Sequence, residues 1–139
     1  MSNKKYEFVD GDTIEHNGIT LKRIRANVAI GLTVSAGDIG GYIQSEENLS
    51  QESGDAWVSG NSWVFDNAHV SGDAHVFGDA RVFDNSRVFD NAHVFGNARV
   101  FGDAHVFGNA RVFGDARVYG DARVENDKSI FWVTKVGND

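Results

Sequence analysis

The sequence predicts an all-β protein: a parallel β-helix with a small N-terminal β cap. Three observations carry that prediction. Valines fall at 58, 64, 70, 76, 82, 88, 94, 100, 106, 112, 118 and 124, always six apart. Two residues before each of these twelve valines sits Ala or Ser, as at Ala56, Ser62, Ala68 and Ala74. Units such as A-R-V-F then end in G-N, G-D or D-N, residues that tolerate the backbone of a tight corner.

A fixed period is the first thing to look for in such a chain, because one short unit repeated implies a stack of units. Within A-R-V-F the side chains alternate, as a strand requires. Ala and Val therefore share one face, and Arg or His shares the other with Phe. Arg is rarely buried unpaired, so the Ala/Val face is the inside. One six-residue strand and corner cannot bury its apolar side alone. Three of them closing a triangle can, which makes a coil of 18 residues. Stacked coils pair their strands in parallel, about 4.8 Å apart. The twelve valine units give four coils, and Ile130 and Val136 keep the phase into part of a fifth, about five in all. Small Ala and medium Val suit a narrow core that could not also hold the Phe rings.

Two regions follow: residues 1–55 as a capping hairpin and lead-in segment, and 56–139 as the repeat with a closing strand. "TIEHNGITLKRIRA" reads as a hairpin turning at Asn17-Gly18. Ile43 and Leu49 are already six apart, but Leu49 to Val58 is nine, so three extra residues bulge out before strict register begins. A β-helix exposes unpaired edges at its ends, and the N-terminal segment is the natural cover for one of them. At the other end "SIFWVTKV" sets Trp132 and Val133 where a corner is due, which closes the core or leaves a sticky end.

Composition narrows the function. The net charge of −7 argues against a generic grip on nucleic acid or an anionic membrane. No direct nucleic-acid binding and no membrane association is expected. The chain has no cysteine, hence no disulfide, thiolate nucleophile or Cys-based metal site. No run approaches the roughly 20 apolar residues of a membrane span, and the expected location is the cytoplasm.

The 18-residue coil sets residues i and i+18 above one another. One outer ladder carries Phe77, Phe95, Phe113 and Phe131; a second carries Phe65, Phe83, Phe101 and Tyr119. A third is shorter, with Phe89 and Phe107 between Ser71 and Glu125. Beside the second ladder runs a basic row, Arg81, Arg99, Arg117 and Lys135. Such ladders stabilise parallel strands by stacking, with Arg planes over the rings. Four stacked rings also form an apolar strip suited to a partner or to a second copy. The two long ladders and Arg81, Arg99 and Arg117 are therefore the expected interaction surface. A second candidate is the acidic bulge, Glu46, Glu47, Glu52 and Asp55, suited to a basic surface. Corner columns such as Asn61, Asp79, Asn97 and Asp115 avoid stacked like charge, and Asn over Asn can form an amide ladder. They lack the dense oxygen sets that Ca²⁺ needs. His75 over His93 offers a metal only two imidazoles. No catalytic residue, cofactor or metal site is assigned.

This repeat resembles the hexapeptide-repeat proteins, whose unit has an aliphatic residue, a small or acidic one, two variable ones, a small one and a variable one. The match covers residues 56–126. The resemblance implies a left-handed parallel β-helix. One departure stands out: the position after the aliphatic residue, usually small in that family, is Phe or Tyr in nine of the twelve units. The lead-in segment followed by A-x-V-x-G-N/D units is most similar to small phage- and prophage-encoded β-helix proteins, often labelled putative transferases. That likeness implies an accessory protein engaging a host macromolecule, such as a host nuclease or a CRISPR-type defence complex that it would inhibit. Many hexapeptide-repeat proteins are CoA-dependent acyltransferases, the enzymatic alternative, but residues 56–126 contain no inserted loop. A His that recurs with the repeat is also poor ground for a specialised base. A self-assembling scaffold is the other alternative. The expectation is a binding protein that forms homo-oligomers through its aromatic faces and has a host protein partner.

Overall fold

The computed structural model describes residues 4–51 and 54–125, together with the paired backbone of Ser129–Ile130 and Lys135–Val136. β1 (Tyr6–His16) and β2 (Ile19–Ala26) form an antiparallel hairpin, and β3 (Ile39–Ile43) pairs antiparallel with β2. Asn17 and Gly18 turn the hairpin with φ of 50° and 82°, the doubly positive pair whose twist matches that of the flanking strands. A 3-10 turn, Glu46–Asn48, follows.

From there the chain winds as a three-sided parallel solenoid. The first face stacks β4 (Trp57–Val58), β7 (His75–Val76), β10 (His93–Val94), β13 (Arg111–Val112) and β16 (Ser129–Ile130). The second stacks β5 (Trp63–Val64), β8 (Arg81–Val82), β11 (Arg99–Val100), β14 (Arg117–Val118) and β17 (Lys135–Val136). The third stacks β6 (His69–Val70), β9 (Arg87–Val88), β12 (His105–Val106) and β15 (Arg123–Val124). The units from β4 to β15 make about four turns, and β16 and β17 extend two faces beyond them. Every rung is in register, with His93 paired to His75 and Arg111, for example.

The paired strands are two residues long rather than the expected four. The reason is the six-residue period: a straight run of four leaves too little chain for the corner. Hydrogen bonding between coils nevertheless continues around the corner. His75 N–H, Phe77 N–H and Asp79 N–H donate to the carbonyls of Ala92, Val94 and Gly96, at 3.0, 2.9 and 2.8 Å. Backbone polar groups in the narrow stack are satisfied this way without long strands.

Inside, the Val columns and the Ala columns are buried, with Val58, Val76, Val94 and Val112 all at 0 % exposure. Where Ser replaces Ala the hydroxyl is used: Ser86 Oγ donates to the Phe83 carbonyl at 2.8 Å and Ser62 to that of Ser59. The bulge falls where the spacing sets it. Ile43 pairs with Val64 and Leu49 with Val70, each 21 positions on, where later rungs are 18 apart.

The N-terminal strands join the solenoid in two ways. β3 pairs in parallel with β5, so the hairpin continues the second face as one sheet of order β1-β2-β3-β5-β8-β11-β14-β17. Tyr6, Ile24, Ile30 and Ile43 close over the end of the Val/Ala core. The segment is pinned by Gln51, whose Oε1 accepts from the backbone N–H of Lys5 and Tyr6. Tyr6 Oη donates to the Leu49 carbonyl at 2.6 Å, and buried Lys5 donates from Nζ to the Ala56 carbonyl at 2.9 Å.

Candidate functional site

Parallel in-register rungs force equivalent side chains into equivalent conformations, so outward residues form straight columns. Phe77, Phe95 and Phe113 stack at 4.8 and 4.9 Å between ring centroids, within 4° of parallel. Phe65, Phe83, Phe101 and Tyr119 stack at 5.1, 5.1 and 5.4 Å. Phe89 and Phe107 stack at 5.0 Å on the third face. The spacing is that of the strands themselves, which lets rings shield one another while one edge of each stays toward solvent. Phe77, Phe95, Phe113, Phe83, Phe101 and Tyr119 are all half-buried. Phe131 and Glu52, with Trp132 and Val133, lie outside the described residues.

The top rung of the outer columns differs from the rest. Phe65 is 5 % exposed and forms a second apolar cluster with Leu21 and Tyr42, against which Ile14, Ile19, Trp63 and Phe83 pack. The β1–β2 hairpin thus folds over the outer side of the second face, with the His16 ring 4.9 Å from that of Trp63. Trp57 is covered too, at 2 % exposure, with Tyr6 edge-on at 6.3 Å. Sequence periodicity set these residues on the outward side of their strands and gave no sign that the N-terminal strands cover them or that Trp57 joins the main core cluster.

Below this covered rung runs an open groove of about 740 Å³ lined by the cationic row and the corner beside it. Asn61, Asp79, Asn97 and Asp115 form one wall; Arg81, Arg99 and Arg117 form the other. The Arg81 guanidinium lies over the Trp63 ring at 4.1 Å. Partial burial and the neighbouring Arg99 push its pKa below the ordinary arginine value, with Asp79 opposing. Lys135 continues the row at backbone level in β17.

The His pair stacks as the period requires, His75 to His93 at 5.4 Å and 10°. Burial lowers the pKa of both; His93 adds to the effect on His75, and Arg111 to the effect on His93. Phe77 meets His93 edge-on at 6.3 Å, and His93 Nδ1 is buried without a hydrogen-bond partner. On the third face His69 Nδ1 is 2.6 Å from the Glu47 carbonyl. His105 lies between Arg87 and Arg123, and its pKa is lowered by burial and by both cations. Among the described residues no carboxylate hydrogen-bonds to either of these rings, and no group of three or more His, Cys, Asp and Glu side chains could hold a metal ion.

Three residues of the acidic bulge are described. Glu46 is paired with Lys4 at 2.6 Å, Glu47 is exposed, and Asp55 faces Lys5 and His75. The amide ladders form as expected, with Asn67 Nδ2 donating to Asn85 Oδ1 at 3.1 Å and Asn85 Nδ2 to Asp103 Oδ1 at 3.3 Å. A further device escaped the sequence reading. Asp66, Asp84 and Asp90 hold positive φ of 58°, 61° and 59° where most corners have Gly. Each carboxylate accepts a backbone N–H from the next coil: Asp84 N for Asp66, Gly102 N for Asp84 and Gly108 N for Asp90. The signal was present as D-N in place of G-N, but nothing in the spacing says that the Asp side chain reaches along the stack.

Among the described residues no helix is long and apolar enough to cross a membrane. A family model described as the YdcK beta solenoid repeat matches residues 116–129, from the residue before β14 to the first residue of β16. No curated protein matches the chain.

Proposed function

We propose that this β-solenoid repeat protein is a non-catalytic binding protein that self-associates through its outward aromatic ladders. The observation that carries the reading is the ladder Phe77–Phe95–Phe113, three stacked rings left half-buried in the coils beyond the covered Trp57 rung. Stacking alone would serve stability with rings of any exposure. A continuous apolar strip flanked by polar corners is the anatomy of an interface. In the same reading the solenoid is left-handed and cytoplasmic, which suits a chain with no cysteine. It serves a phage or prophage by engaging and inhibiting a host macromolecule. The likeness to phage-encoded β-helix proteins supports that part, and the acidic bulge, with exposed Glu47 and Asp55, supplies a second docking surface.

The test is replacement of Phe95 and Phe113 by Ser together. The expected outcome is a lower oligomer mass in light scattering with the far-UV β signal retained. An unchanged mass would remove this ladder from the interface.

A further inference from the structure

We infer that the corner between the first and second faces is a self-complementary contact, on which a second copy of this chain docks with its solenoid axis parallel to the first. This rests on the self-association proposed above and names its partner surface and orientation. At that corner two columns run side by side: Asn61, Asp79, Asn97 and Asp115 at the apex, and Arg81, Arg99 and Arg117 two residues further on. The apex residues are exposed, as are Arg99 and Arg117. Among the described residues neither the Arg99 nor the Arg117 guanidinium makes an ion pair or hydrogen bond, while Asn97 Nδ2 donates to Asp115 Oδ1 at 3.4 Å. Stacking like charges on adjacent strands is unfavourable. A chain of net charge −7 nonetheless holds three guanidinium groups in a row here.

Symmetry selects the docking mode. A two-fold axis perpendicular to the solenoid axis, lying in the contact plane, would set Arg against Arg and Asp against Asp. A two-fold axis parallel to the solenoid exchanges the columns instead. Asp79 then meets the second copy's Arg81, Asp115 meets its Arg117, and Asn97 accepts from its Arg99. Each of these contacts occurs twice, as an isologous interface requires. The Phe77–Phe95–Phe113 ladder borders the same corner and extends the contact.

Periodicity selects the partner. The rows repeat at the strand spacing of about 4.8 Å, which a second solenoid matches rung for rung. An extended peptide presents side chains on one face every 6.6 Å or so. A nucleic-acid strand carries a charge every 3.4 Å or so, and its phosphates would meet Asp79 and Asp115 in the same groove.

The experiment compares the native chain, R99D/R117D and N97R/D115R by light scattering, alone and mixed. The native chain is expected to associate, each variant alone to fall to single-chain mass, and their equimolar mixture to regain the native oligomer mass. Far-UV circular dichroism checks the fold. If a charge reversal disturbs it, R99Q/R117Q is used with a salt titration. Raising salt from about 50 mM to about 1 M should weaken native association at least tenfold and leave the Gln variant nearly indifferent. With no native cysteine, nitroxide labels at N61C, D79C and N97C, one at a time, should give the same intermolecular distance at all three rows.

Charge variants that keep the native mass, a mixture that stays at single-chain mass, or distances that change from row to row would overturn the inference. If F95S/F113S loses mass while the charge variants do not, self-association stands and this corner fails. A native chain at single-chain mass contradicts both.

Discussion

At a corner of this solenoid, one atom decides what residue can stand there. A Cβ added at Gly96 would lie 2.8 Å from the backbone nitrogen of Gly114, and the residue sits at φ 69°. Gly96→Ala is therefore expected to cost at least 1–2 kcal/mol, roughly the penalty for a left-handed non-glycine residue, read as a lower urea midpoint. Asp84 shows the other solution, its carboxylate accepting from Gly102 N–H at 3.0 Å to offset the same backbone strain. The alternation of A-R-V-F made the inward and outward residues of the middle coils legible, because a period of two has no other reading. The role of Asp84 was not, since a hydrogen bond to the next coil depends on stacked coordinates and leaves no trace in spacing.

The histidines give a second prediction at this scale. His75 and His93 are both held below the ordinary imidazole pKa, with Lys5 and Arg111 opposing protonation and Asp55 and Asp73 favouring it near His75. A native pKa lowered below the unfolded value means that the unfolded chain binds more protons. Stability is then complete above about pH 6.5 and is lost as pH falls below it. Urea midpoints at pH 7.5 and pH 5 should differ in that direction. Replacing both histidines by Phe should reduce the difference, leaving the part due to His105, whose pKa burial also lowers, and an undiminished difference would contradict the assignment.

No single element here is stable by itself, since a two-residue strand has almost nothing to bury. Each is held by rungs above and below, so the ends matter most. At the N-terminal end Tyr6 Oη bonds the Leu49 carbonyl, fixing β1 to the bulge. Tyr6→Phe should lower stability by about 0.5–1.5 kcal/mol and raise hydrogen exchange in β1 and β4 before the middle coils respond. Uniform exchange along the stack would contradict that localisation. The hairpin turn and the three-residue bulge were both readable, one from Asn17-Gly18 and the other from the nine-residue step between Leu49 and Val58. That Leu21 and Tyr42 would cover Phe65 was not. Ile14, Ile19 and Leu21 mark an apolar hairpin face without saying what it folds against.

On the scale of the whole molecule, the repeat fixes which residues share a column and leaves open how the coil is wound. An 18-residue, three-sided coil has the same columns in either hand, so handedness came from resemblance rather than period. The columns set the aromatic and charged side chains in rows along faces and corners, and that makes association the property to measure. The most direct measurement is the mass of the native chain by light scattering across a concentration series. Self-association through the outward columns predicts a mass rising toward at least twice the 15.2 kDa of one chain, and falling back on introducing F95S/F113S. A mass that stays at 15.2 kDa at every concentration would contradict it.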